Sequence, residues 1–183
     1  MEMFEKYGVN KTNISDITYK VGIAKGSFYN FFASKGDLLM EIYSEERQKV
    51  QLKAVKLFQN SDEDIDILIK KHTSFLMDAK KKRPILNLIY DNDALTMITD
   101  RSVRTRLLAY NDLINDQMTE MIQEWMDRRG HYNVDARIVT SMLRSISFLQ
   151  FHDFAIGEDV YNQTVNAIVD AISMYVKYSQ KEE

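Results

Sequence analysis

Near the N-terminus the apolar residues are spaced from a single glycine. Counting from Gly22, they stand five and one before it (Ile17, Val21) and one, six and nine after it (Ile23, Phe28, Phe31). That spacing gives each of two short helices one buried face and crosses them at a steep angle. A helix-turn-helix uses this geometry to push its second helix into a DNA major groove. Helical periodicity and cap residues carry the reading along the rest of the chain. Gly8 ends a first helix, Thr12 or Asn13 opens a second, and Ala24 opens a third that runs to Phe31. Ser34-Lys-Gly-Asp37 resembles a capping box and opens a fourth helix reaching about Phe58. Ser61-Asp-Glu-Asp64 repeats the signal for a fifth, to about Lys82. A modest helix follows Pro84, a long one covers about 102–129, and the last two cover 134–156 and 159–178. Gly130 and Gly157 fall at C-cap positions. No Val/Ile/Thr alternation bounded by turn residues signals a strand. The expected fold is therefore all-α. An N-terminal helix-turn-helix domain (residues 1–45) precedes a helical ligand-binding and dimerisation bundle (residues 46–183).

The last two helices carry apolar stripes wider than one packing face requires. Residues 134–156 place Ile138, Val139, Met142, Leu143, Ile146, Leu149 and Phe154 on the first; residues 159–178 place Tyr161, Val165, Ile168, Val169, Ile172, Tyr175 and Val176 on the second. An apolar arc beyond about 100° implies two burial partners. The chain's own core supplies one, and a second copy of the chain the other. A homodimer with two heads about 34–36 Å apart would read an inverted repeat in double-stranded DNA.

Charge and chemistry narrow the picture. The chain is −3 overall, against general nucleic-acid binding, but residues 1–35 are +2 and the remainder is −5. That division fits a protein touching DNA at one end. The third helix presents Lys25, Gly26, Ser27, Tyr29 and Asn30: a cation, two hydroxyls and an amide able to bond phosphates or base edges, with a glycine permitting close approach. The run Lys80-Lys81-Lys82-Arg83 is read as a solvated helix terminus, where cations favour the helix dipole. The chain has no Cys, which excludes disulfides, thiolate metal sites and a Cys nucleophile. It has no apolar run long enough to span a membrane and no signal-peptide pattern, so the cytoplasm is the expected compartment.

Residues 4–39 resemble the DNA-binding domain of the TetR/AcrR family of transcriptional regulators. The resemblance rests on Phe4, Tyr7-Gly8-Val9, Thr12, Ile14, Ile17, Val21-Gly22-Ile23, Lys25-Gly26-Ser27-Phe28-Tyr29, Phe32, Ser34-Lys35 and Leu38-Leu39. It implies a homodimeric, all-helical regulator, usually a repressor, released from its operator by a small ligand. It also implies phosphate contacts from Thr12, Tyr29 and Lys35, with Lys25, Ser27 and Asn30 at the DNA surface. Two departures stand out. Thr18 occupies a position that is usually Ala. The chain also begins only three residues before Phe4, which predicts a shortened first helix, a looser head and weaker operator binding.

The ligand is expected to be small and apolar or amphipathic. Trp125, Phe148, Phe151 and His152 are candidates to line a pocket between helices, with Tyr90 or Tyr110 supplying a hydrogen bond. The three His have no partner at i+3 or i+4, so no metal site is expected; no cofactor is expected either. No zinc-protease, di-iron, phosphate-loop or nucleophile-elbow pattern points to an enzyme. The alternative is a dimeric helical ligand-binding protein that has lost DNA binding.

Overall fold

The computed structural model describes residues 1–59, 61–88, 101–149, 153–157 and 159–179. The described residues form helices joined by turns and loops, with no strand among them. The helices are α1 (Glu2–Lys11), α2 (Ile14–Val21), α3 (Lys25–Phe28), α4 (Lys35–Phe58), α5 (Ile65–Lys82), α6 (Ile85–Leu88), α7 (Arg101–Arg128), α8 (Ala136–Leu149), α9 (Asp153–Ile156) and α10 (Tyr161–Tyr178). None of these is long and apolar enough to cross a membrane.

Two compact units emerge. Unit 1 comprises residues 1–49 and 80–112; unit 2 comprises 50–79 and 113–183. Helices α4, α5 and α7 each begin in one unit and end in the other.

In unit 1, Phe4, Val9, Phe28, Leu39, Met40 and Tyr43 are buried. The segment 80–112 is fastened to the N-terminal helices by polar contacts. Glu5 accepts a hydrogen bond from the Ile85 N–H at 3.2 Å. Arg83 reaches Glu46 at 3.1 Å, and Arg106 pairs with Asp37. Tyr110 donates its hydroxyl to the Ser44 carbonyl at 2.9 Å. The run at 80–83 is thus only partly the solvated terminus expected from sequence. Lys80 is half-buried and Arg83 is ion-paired, because the end of α5 packs inside unit 1.

Unit 2 holds the larger core. Phe58, Leu68, Ile69, Ile122, Trp125, Met126, Val139, Leu143, Val165, Val169, Ile172 and Val176 pack as one cluster. Helices α8 and α10 pack on each other. Each buries one polar side chain that bonds its own helix: Thr140 to Ala136 O and Ser173 to Val169 O, both at 2.9 Å. The apolar stripes of both helices are largely covered inside unit 2. Separate outward stripes remain exposed: Ile138, Ser141, Ser145 and Phe148 on α8, and Ala167, Ala171, Met174 and Tyr178 on α10.

Candidate nucleic-acid interface

Backbone geometry sets the angle between α2 and α3. Asn13 caps α2, its side-chain oxygen accepting from the Asp16 N–H at 2.8 Å. Gly22 ends the helix at φ 73°, ψ 29°, a left-handed conformation that glycine adopts without a Cβ clash. The next N–H, Ile23, then returns to the Thr18 carbonyl at 3.0 Å, closing the turn. Thr18 itself is buried, with its hydroxyl on Ser15 O at 3.0 Å. A residue of this size fits the crossing and needs no distant partner.

Helix α3 is shorter than its sequence suggests. It stops at Phe28, and the chain continues to Phe31 in tight turns, with Tyr29 N–H on Gly26 O, Asn30 N–H on Ser27 O and Phe31 N–H on Phe28 O. Phe28 is the anchor: it is buried, edge-on to Tyr29 at 5.4 Å and tilted against Phe32 at 5.5 Å. Of the apolar set spaced from Gly22, Phe28 is buried and Ile17 half-buried. Val21, Ile23 and Phe31 are exposed, at 61, 42 and 74 %. Periodicity therefore marked the apolar positions but overstated the core. Val21 and Ile17 instead border an open groove of about 360 Å³ with Met1, Met3, Phe4 and Leu38.

Lys25, Gly26, Tyr29 and Asn30 are exposed and Ser27 is half-exposed. Among the described residues, none of the side chains of Lys25, Ser27, Tyr29 and Asn30 makes a hydrogen bond or ion pair. Their donors and acceptors face outward without an intramolecular claim.

Thr12 and Lys35 behave differently. Thr12 is fully buried, and its hydroxyl lies 3.0 Å from Met3 O and 2.8 Å from Gly8 O. It is a clasp within α1, not a group presented at the surface. The Lys35 ammonium donates to Val9 O and Thr12 O, each at 2.7 Å. These carbonyls belong to the end of α1, where a cation is favoured. Lys35 thus ties the start of α4 to the end of α1, across 26 residues of sequence. Lys35→Met should lower stability by about 1.5–3 kcal/mol, the range for hydrogen bonds from a charged donor. Thr12→Val should cost about 1 kcal/mol. Urea unfolding followed by circular dichroism reads both; unchanged midpoints would refute the clasp.

Three of the six ligand candidates, Tyr110, Trp125 and Phe148, lie among the described residues. Tyr110 lies in unit 1 with its hydroxyl on Ser44 O. Trp125 is a core residue of unit 2, 1 % exposed, with its ring stacked on His131 at 5.5 Å. Phe148 is half-exposed on α8. Tyr90, Phe151 and His152 lie outside the described residues. Sequence reasoning did not single out His72, which is buried on α5 and edge-on to Phe58 at 5.7 Å. The signal was present: Ile65, Leu68, Ile69 and His72 share one helix face.

Comparison with known proteins agrees with this geometry. Residues 1–42 match the family of bacterial regulatory proteins, tetR family. The HTH-type transcriptional regulator YvdT of Bacillus subtilis is 35 % identical over 99 residues, 52 % of this chain and 49 % of that protein, so the match spans about half the relative's length. The fatty acid metabolism regulator protein of Bacillus subtilis is 23 % identical over 149 residues, 78 % of this chain and 73 % of the relative. In fold, the chain is similar to the transcriptional regulator FadR of Bacillus subtilis in complex with stearoyl-CoA. The TM-score is 0.67 at 13 % identity, over 97 % of this chain and 94 % of that one. FadR of Bacillus halodurans gives a TM-score of 0.64 at 14 % identity, over 100 % and 92 %. The DNA-binding region of the tetR family is thus matched across the whole helix-turn-helix of this chain.

Proposed function

We propose that the chain is a transcriptional regulator of the tetR type that binds an inverted-repeat operator as a homodimer, acts as a repressor, and is released by a small amphipathic ligand of the fatty-acyl type. The observation that carries DNA docking is the outward set on and after α3. Lys25, Ser27, Tyr29 and Asn30 are uncommitted side chains on a hinge whose angle the backbone fixes. Lys25 and Asn30 are assigned to base edges; Tyr29 and Ser27 to phosphates; Gly26 to close approach. Lys35 and Thr12 hold the edge of this surface through α1.

Dimerisation is assigned to the outward stripes of α8 and α10. The small residues Ser141, Ser145, Ala167 and Ala171 let two helix pairs approach closely, and Ile138, Phe148, Met174 and Tyr178 supply the apolar area. The acyl-type ligand is supported by likeness to the fatty acid metabolism regulator and by the stearoyl-CoA complex of FadR. Release then follows from linkage: a ligand favouring the DNA-free state weakens DNA binding by the factor with which DNA weakens ligand binding.

The test is DNA retention against salt, on sites selected from a random duplex library. Binding should fall steeply with salt, with a log–log slope of about −0.9 per phosphate contacted. Tyr29→Ala should weaken binding to all sites, by about tenfold, and leave the slope nearly unchanged, because an uncharged phenol displaces no counterion. Lys25→Ala and Asn30→Ala should change the preferred sequence. Retention that ignores salt and all three substitutions would leave a ligand-binding protein without DNA function.

A further inference from the structure

Spacing from Gly22 assigned Ile23 and Phe31 to the core, yet both stand in solvent, 42 and 74 % exposed. Other exposed apolar side chains of the same segment have local company. Val21 borders the groove with Met1 and Met3, and Tyr29 packs edge-on to Phe28 at 5.4 Å. Ile23 and Phe31 line no part of that groove, and Phe31 makes no ring contact among the described residues. Single exposed apolar residues are ordinary on a protein surface. Position sets these two apart. They bracket the outward set Lys25, Gly26, Ser27, Tyr29 and Asn30, Ile23 just before its first member and Phe31 just after its last.

The backbone keeps both ends outward. Ile23 is held at the hinge by its N–H on Thr18 O at 3.0 Å, immediately before Ala24, the N-cap of α3. At the other end, Phe31 N–H returns to Phe28 O at 3.0 Å; Phe28 turns inward, while Tyr29, Asn30 and Phe31 are all exposed. A docked recognition helix meets base edges in the major groove, with its N-terminal residues leading. Nearly every group on those edges donates or accepts a hydrogen bond. The apolar one is the 5-methyl of thymine, which packs against apolar side chains such as Phe. An isoleucine or phenylalanine on this surface gains nothing from a phosphate, but removes a methyl and its own carbons from water together.

We infer that Ile23 and Phe31 are specificity residues, each packing on a thymine 5-methyl at one end of the half-site read by α3. The inference rests on the DNA docking proposed above and assigns two of the bases. A helical rise from residue 23 to residue 31 covers about 12–16 Å, which sets the two thymines about three to five base pairs apart.

The test starts from sites that the full chain selects from a random duplex library. Each thymine of one half-site is then replaced in turn by uracil, which removes the methyl and keeps the hydrogen-bonding edge. The proteins are wild type, Ile23→Ala, Phe31→Ala and the control Tyr132→Ala, exposed in unit 2. The selected half-site should hold thymine at two positions with the spacing above. Uracil at either should weaken wild type and Tyr132→Ala by about fourfold, the transfer worth of one methyl. Phe31→Ala should ignore uracil at one position and Ile23→Ala at the other, each keeping its response where the other side chain reads. If duplexes bind but uracil weakens all four proteins alike, or weakens none, the methyl readers are overturned and DNA docking stands. If no duplex is retained in a salt-dependent way, docking fails and the inference falls with it. If Ile23→Ala and Phe31→Ala bind DNA as wild type does but change the sedimentation of the free protein, these side chains cover a second copy, and the inference is overturned.

Discussion

Trp125→Ala is expected to lower stability by about 3–5 kcal/mol, the cost of deleting a large buried aromatic. Trp125 is 1 % exposed in the main cluster of unit 2, stacked on His131, with the Arg129 guanidinium 5.9 Å from its ring. Its neighbours come from several helices, so the site cannot collapse easily. Trp125→Phe should cost much less than its lost area suggests. Among the described residues the buried indole Nε1 has no hydrogen-bond partner, and an unmet buried donor costs about 1–3 kcal/mol that Phe does not incur. Trp125 is the sole tryptophan, so unfolding must be followed by circular dichroism. If Trp125→Ala fell within 1 kcal/mol of wild type, the residue would not be the keystone of this core.

The second large effect is on acid stability, through His72. Burial pushes this imidazole from 6.5 down to about 4. Between those values the unfolded chain binds a proton that the folded one refuses. Stability is therefore full above pH 6.5 and declines as pH falls toward 4. The gap corresponds to about 3 kcal/mol, at 1.36 kcal/mol per tenfold change in proton affinity. Carboxylates contribute their own acid loss, so the measurement is a difference. Urea titrations of wild type and His72→Gln at pH 7, 6, 5 and 4 should show the wild type losing more. Parallel curves would show that His72 takes up its proton without unfolding the chain.

Some of this molecule could be read directly from its residues. The Gly22 hinge was legible because its contacts are local: a glycine in the left-handed region and an Asn side chain capping α2 set the turn. The start of α4 was legible for the same reason, since Ser34 accepts from the Asp37 N–H at 3.1 Å, a local contact. What escaped depends on distant segments. Val21, Ile23 and Phe31 are as apolar as any core residue, and nothing local says that they face outward. Lys35 reads as a surface cation until α1, 26 residues earlier, arrives beneath it. Lys80 belongs to a run of cations that looks solvated, yet the segment following it folds back into unit 1.

The Lys35 tether has a practical consequence. Its ammonium donates to neutral carbonyls at 2.7 Å. Mobile ions compete with charge–charge attraction at long range and far less with a partly enclosed contact to peptide oxygens. Salt strong enough to break surface charge pairs should therefore leave the join between α1 and α4 assembled, and a return to low salt should need no refolding phase.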